Sequence, residues 1–142
     1  MNRDLTHLYQ TVLLQHDRTP FHYQKVENAP IAIAAYNPLC GDQFQLFLTI
    51  KQDIIQEAHF YGYGCTISKA STSVLIKKIQ GLPLSEIPPL FHAFLQIVIP
   101  SETILENPDE ELNAFAAARQ FPERLQCATL SWEALRSFFR FD

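Results

Sequence analysis

The eight residues QFQLFLTI, 43–50, alternate in a way that narrows the choice of fold more than any other stretch. Phe44, Leu46, Leu48 and Ile50 fall on one side of an extended chain, and Gln43, Gln45, Phe47 and Thr49 fall on the other. A period of two marks a strand with one buried face. The short apolar run IAIAAY precedes it, the turn residues KQD follow it, and IIQEAHFYGY then supplies another strand. The expectation is an antiparallel meander of about three strands. A sheet this small must cover its apolar face with something else, and the rest of the chain has helical spacing. Leu5, Leu8, Tyr9, Val12 and Leu13 form a stripe between Asp4 and His16, read as core packing. In GYGCTISKASTSVLIKKIQG the pattern changes to Val74, Leu75 and Ile79, with Thr66 and Ser68 as N-cap candidates and Gly81 as the stop. PLSEIPPLFHAFLQIV reads as another helix, ELNAFAAARQ as a short one, and PERLQCATLSWEALRSFFRF as a closing helix with Pro122 near its start. The expected class is α+β, a small antiparallel sheet packed with helices. With 142 residues, no dividing linker, no repeat and no low-complexity tract, residues 1–142 read as one domain.

Composition excludes several function classes. A formal charge of −4, with 18% charged and 47% hydrophobic residues, fits neither disorder nor attraction to nucleic acid or an anionic membrane. The N-terminal MNRDLTHLYQ lacks an apolar signal core, and apolar runs such as FLQIVI are too short to span a bilayer. The expected location is the cytoplasm, and the expected partners are proteins or small molecules.

Chemistry concentrates around Cys40, Cys65 and Cys127, which a reducing compartment would keep as thiols. The ordinary fate of any one of them is a buried, inert thiol. Cys40 and Asp42 flank Gly41 on a turn that leads into a strand; at i and i+2 of an extended chain both side chains face one way. A thiolate and a carboxylate converging on one point suit a divalent metal, although a lone CGD is more often a turn with a passive cysteine. Cys65 follows two glycines at a helix start, where unpaired N–H groups stabilise a thiolate; the alternative is a small core residue in a glycine-bounded turn. Cys127 lies in the first turns of the last helix with Arg124 three residues earlier on the same face. That cation could stabilise the thiolate, or make a surface ion pair while Cys127 packs with Leu130. No CxxC pair is present, which excludes the common zinc ribbons and fingers. His7, His16, His22, His59 and His92 have no spacing that ties them to the cysteines, and read as surface or satisfied core histidines.

NPLCGD, GYGCTISKAS and PERLQCATLSW, in that order, resemble the three cysteine motifs of the iron–sulfur cluster assembly proteins of the IscU/SufU/NifU N-terminal family. The resemblance extends from LYQTVLLQH to the last helix. It implies a compact SufE/NifU-like α+β fold with a metal or cluster site at one end. Cys40, Asp42, Cys65 and Cys127 fall on the family's ligand positions, and Arg124 on the arginine that accompanies the third cysteine in the SufU branch. Gln126 stands where Isc-type scaffolds carry histidine, and IPSETILENPDEELNAF resembles the extra segment of SufU-type proteins. FPERL replaces the Leu-Pro-Pro-Val-Lys motif that engages the Isc chaperone. The loop of residues 16–30 departs from the family: His16 and Pro20 match its His-Tyr-x-x-Pro-x-Asn stretch, but the tyrosine and the following glycine do not, which bears on partner docking.

The resemblance implies a SufU-type zinc-dependent sulfur acceptor, working with a SufS-type pyridoxal-phosphate cysteine desulfurase and with downstream cluster-assembly or apo-acceptor proteins. Zn2+ would sit on Cys40, Asp42, Cys65 and Cys127, with Asp42 the hard, weakly held ligand. A ligand from the desulfurase would free Cys40 to accept the sulfur, with Arg124 in support. The alternative is an IscU-type scaffold that builds and transfers a [2Fe-2S] cluster on the same four residues. A third reading, an interaction module with a structural zinc or no metal, fits less well, because closed structural sites are usually sulfur and histidine only.

Overall fold

The computed structural model describes residues 5–39, 41–99 and 107–142. Strand β1 (Ile31–Asn37) pairs antiparallel with β2 (Asp42–Lys51), and β2 with β3 (Ile54–Tyr63), in the order β1-β2-β3. This is the expected meander. The β2–β3 turn holds Gln52 and Asp53 at φ 54° and 60°, the left-handed values that a tight two-residue hairpin requires. The outer edge of β3 is covered by residues 22–24, where Gln24 N–H donates to Phe60 O and Phe60 N–H to His22 O.

Helices α1 (Leu5–Arg18), α2 (Thr66–Ile79), α3 (Ile87–Val98), α4 (Glu110–Ala114) and α5 (Leu125–Phe139) complete the described fold. The apolar sheet face (Ile33, Ala35, Phe44, Leu46, Leu48, Ala58 and Phe60) is buried beneath the helices. Each such large side chain contributes about 1.5–3 kcal/mol on leaving water. The opposite face is less polar than the alternation predicts. Phe47 is buried there, with Ala32 and His59 as its cross-strand neighbours.

α2 is the central helix, packed on α1, α5 and β3, which explains why its pattern is only weakly amphipathic. Two hydroxyls on its buried face, Ser71 and Thr72, tie it to α5. Ser71 Oγ donates to Ala128 O and accepts from Trp132 Nε1, and Thr72 Oγ1 bonds Ser131 Oγ at 2.7 Å. On α3, Phe94 stacks on Trp132 with ring centres 3.9 Å apart. The short helix expected over ELNAFAAARQ divides into α4 and a 3-10 stretch, Phe115–Gln120. There Arg119 donates to Ile97 O and Gln96 O, so a tertiary tie to the end of α3 accompanies the change in winding. A 3-10 turn, Pro122–Arg124, leads into α5. No helix among the described residues is long and apolar enough to cross a membrane.

The strand register creates one functional end. Asn37 pairs with Asp42 and Gln43 with Tyr63, so the β1–β2 turn and the β3–α2 junction are neighbours.

Candidate metal centre

Asp42 opens β2 and is 1% exposed. Its Oδ1 accepts a hydrogen bond from Cys65 N–H at 2.8 Å, tying the strand to the start of α2. This contact explains a glycine in the sequence. A Cβ on Gly64 would stand 2.6 Å from Asp42 Oδ1 and 3.1 Å from its Cγ, so any side chain there would displace the carboxylate. Gly41 serves differently: at φ 74° it adopts the left-handed turn just before Asp42, and its N–H donates to Asn37 O.

Cys65 is itself the N-cap of α2, at φ −68° and ψ 164°, where Thr66 or Ser68 was expected. Its Sγ accepts from Ser68 N–H at 3.4 Å, the role a serine oxygen usually takes. Cys127 is the third residue of α5 and is 1% exposed. Each sulfur thus lies at or within the first turn of a long helix, at the positive end of its peptide dipoles. Exposed Arg124 is the N-cap residue of α5.

One ligand atom each from Asp42, Cys65 and Cys127 can be chosen so that all lie within 4.8 Å of one another, the only such grouping among the described residues. Three of the four residues singled out in the sequence are therefore brought together. Cys40 lies outside the described residues, although its neighbours are placed: Leu39, 85% exposed, donates its N–H to Asn37 Oδ1.

The donor set fits a thiophilic divalent ion such as zinc, and a buried atom supports that fit. Asp42 Oδ2 has no hydrogen-bond partner among the described residues. A carboxylate oxygen hidden from water without a partner costs several kcal/mol, and a cation drawn to the two sulfurs would relieve that cost. From ordinary zinc–ligand bond lengths, donors around one tetrahedral ion lie about 3.5–3.8 Å apart, so the trio is within about 1 Å of the spacing an ion needs.

Sequence reasoning missed Tyr9. It falls within the apolar stripe of α1, and nothing local distinguishes its hydroxyl from the rest of that stripe. The ring is 5% exposed and its hydroxyl is buried without a partner among the described residues. Burial, then the charges of Cys65 and Cys127, push its pKa up to about 12, with Arg124 opposing. The phenol is therefore protonated throughout the neutral range. The histidines stay apart from this centre, as expected: His16 bonds Ser73 and Glu111, His22 stacks on His59, and His92 lies edge-on to Phe141.

Comparison with known proteins places this geometry in a family. Residues 8–128 match the NifU-like N-terminal domain family. The iron–sulfur cluster assembly scaffold protein IscU of Streptococcus pyogenes serotype M1 is 33% identical over 132 residues, covering 93% of this chain and 82% of that protein. The zinc-dependent sulfurtransferase SufU of Bacillus subtilis (strain 168) is also 33% identical, over 134 residues, covering 94% of this chain and 90% of that one. The crystal structure of a candidate iron–sulfur cluster assembly scaffold protein for the SUF system, from Fervidobacterium islandicum AW-1, aligns with a TM-score of 0.81 at 28% identity. That alignment covers 92% of this chain and 95% of the other. On these matches, the chain belongs to the NifU-like N-terminal domain family, the IscU/SufU group of iron–sulfur cluster assembly proteins.

Proposed function

We propose that this protein is a zinc-dependent sulfur acceptor of the SufU type, taking persulfide sulfur from a pyridoxal-phosphate cysteine desulfurase through Cys40. The observation that carries the reading is Asp42 Oδ2, which has no hydrogen-bond partner among the described residues and is buried beside two thiols at helix N-termini. Cys40, Asp42, Cys65 and Cys127 would hold the ion, and bound zinc would keep its sulfur ligands deprotonated at neutral pH. The transfer is thiolate chemistry on sulfur. The Cys40 thiolate attacks the outer sulfur of the partner's persulfide, a new S–S bond forms at Cys40, the old S–S bond breaks, and the desulfurase cysteine leaves as a thiolate. Asp42 keeps one oxygen on the Cys65 N–H and offers the other as a hard, weakly competing donor in a sulfur set. Arg124 supplies positive charge for the anionic sulfur in transit.

Two features favour this reading over a scaffold. Gln126, exposed beside Cys127, leaves no imidazole at the position where Isc-type proteins carry one. α4, at the end of the SufU-like extra segment, is fastened to α2 by Lys78–Asp109 and Lys77–Glu111 ion pairs of 2.8 and 2.9 Å. The equal identity to an IscU-named relative supports the second reading, a [2Fe-2S] scaffold on the same ligands. Downstream acceptor proteins follow in either case.

Metal analysis of protein purified without added iron, with desulfurase turnover measured with and without Cys40→Ala, separates the two. About one zinc per chain, with a turnover stimulation that Cys40→Ala abolishes, is the expected result. A sulfide-containing iron chromophore that moves to an apo-acceptor would support the scaffold instead, and neither metal nor stimulation would sink both.

A further inference from the structure

The two edges of the sheet are finished differently. Residues 22–24 cover the outer edge of β3, whereas no described segment pairs with the outer edge of β1. Along an antiparallel strand every second residue turns its N–H and C=O outward, so that edge offers a row of backbone donors and acceptors. Sheet edges are commonly guarded by a charge, a proline or a bulge. β1 reads IAIAAYN, without charge or proline, and its register with β2 is unbroken. The edge opens into a groove of about 530 Å³ whose other wall is α5. α5 starts beside the end of β1, because Cys127 converges with Asp42, the cross-strand partner of Asn37, and it runs back along the strand. Four residues of helix rise about 6 Å and two of strand about 6.6 Å. Leu130, Ala134 and Phe138 therefore keep step with Tyr36, Ala34 and Ala32.

We propose that this surface is the interface of a homodimer: β1 pairs antiparallel with β1 of a second copy about a two-fold axis at Ala34, and the α5 helices pack on each other at Ala134. Such an interface must be complementary to itself, and the chain meets that condition in three ways. On the strand, the axis sets Tyr36 opposite Ala32 of the second copy and Ile33 opposite its Ala35, a large side chain against a small one in each pair. On the helix, Leu130 comes opposite Phe138, and the small Ala134 at the crossing allows close approach. Charge supplies the third match. Glu133 and Arg136, paired within each helix at 3.2 Å, come level with Arg136 and Glu133 of the second copy and close a ring of four alternating charges. A strand from another protein would answer the backbone edge alone, whereas a second copy answers the edge, the apolar stripe and the ion pair together. Because the paired strands run in opposite directions, the two β1–β2 turns lie on opposite sides of the axis, and neither candidate metal centre is at the crossing.

Sedimentation equilibrium of the full chain tests the pairing with two single charge reversals. Glu133→Arg leaves two cations on this part of α5 and Arg136→Glu two anions, so each variant repels its own kind and complements the other. Both side chains are partly exposed, and circular dichroism checks that the fold is kept. The expected result is a wild-type dimer, at least about tenfold weaker self-association of either variant, and recovery of the dimer when the two are mixed. Ala34→Lys, on the exposed sheet face, places like charges at the axis and should weaken the dimer similarly. Hydrogen exchange should show alternate β1 amides slowing as the dimer forms. Wild-type protein that remains monomeric at about 1 mM overturns the proposal and leaves the edge to a segment of another protein. A dimer unaffected by Ala34→Lys and by both reversals, or a mixture no tighter than either variant alone, overturns it too.

Discussion

Two clusters of buried polar groups lie against α2, one at its N-terminus and one along its later turns, and they differ in completeness. In the second, His16 Nδ1 meets Ser73 Oγ at 2.6 Å and His16 Nε2 meets Glu111 Oε2 at 2.5 Å. Phe21 N–H donates to the same Ser73 oxygen, and Lys77 and Lys78 both reach Glu111 Oε1. Serine, histidine and carboxylate in a row resemble a nucleophile, base and orienting acid. Yet Ser73 is fully buried, and its oxygen is already engaged by two partners. The row is a fastener joining α1, α2, α4 and the residue 19–22 loop. At the other end, Asp42 Oδ2 and Ser68 Oγ have no hydrogen-bond partner among the described residues. Complete hydrogen bonding marks a polar cluster that holds the fold, and incomplete bonding marks one built for something that arrives.

The sharpest way to break this contrast is to remove a ligand. Asp42 is the weakly held ligand of the four, so its share of a zinc site worth about 10–16 kcal/mol is less than a quarter, and Asp42→Ala should lower zinc affinity by about tenfold to a hundredfold in chelator competition. Its effect on stability should be near 1 kcal/mol, the cost of a lost cap at Cys65 N–H. His16→Ala should do the reverse. It removes the partner of Glu111 Oε2 and one of the two partners of Ser73 Oγ, and should cost about 2 kcal/mol in urea unfolding while zinc affinity of the folded protein changes little. A variant of either kind that moved both readouts equally would show that the two clusters are one unit.

The smallest effect is a dependence on pH. Burial alone would raise the Glu111 pKa, but hydrogen bonds from His16, Lys77 and Lys78 outweigh it and hold the carboxyl at about 2, below its ordinary 4.5. A depressed folded pKa stabilises above the unfolded value. That contribution is therefore full above about pH 4.5 and is lost as pH falls toward 2. Urea midpoints measured from pH 6 to pH 3 should fall more steeply for wild type than for Glu111→Gln.

The sheet was legible because β2 has one buried face and its alternation survives tertiary packing; Phe47 escaped because its burial on the other face depends on neighbouring strands. The helix start at Cys65 was legible from GYGC, but not that sulfur itself would cap it, since Thr66 and Ser68 have the stronger capping propensity. The convergence of Asp42, Cys65 and Cys127 carried no local signature and came only from the resemblance of three motifs in register. Tyr9 was hidden for a related reason: periodicity reports which side chains are buried, not whether a hydroxyl among them has a partner. The His16–Glu111 bond, 95 residues apart in sequence, is likewise a product of topology.

Trp132 is the chain's single tryptophan, and its place gives the protein a built-in optical gauge. It lies five residues along α5 from Cys127, stacked on Phe94, with its indole N–H on Ser71 Oγ of the helix that begins at Cys65. Its ultraviolet emission therefore originates in the water-excluded joint between the two helices whose N-termini present the sulfurs.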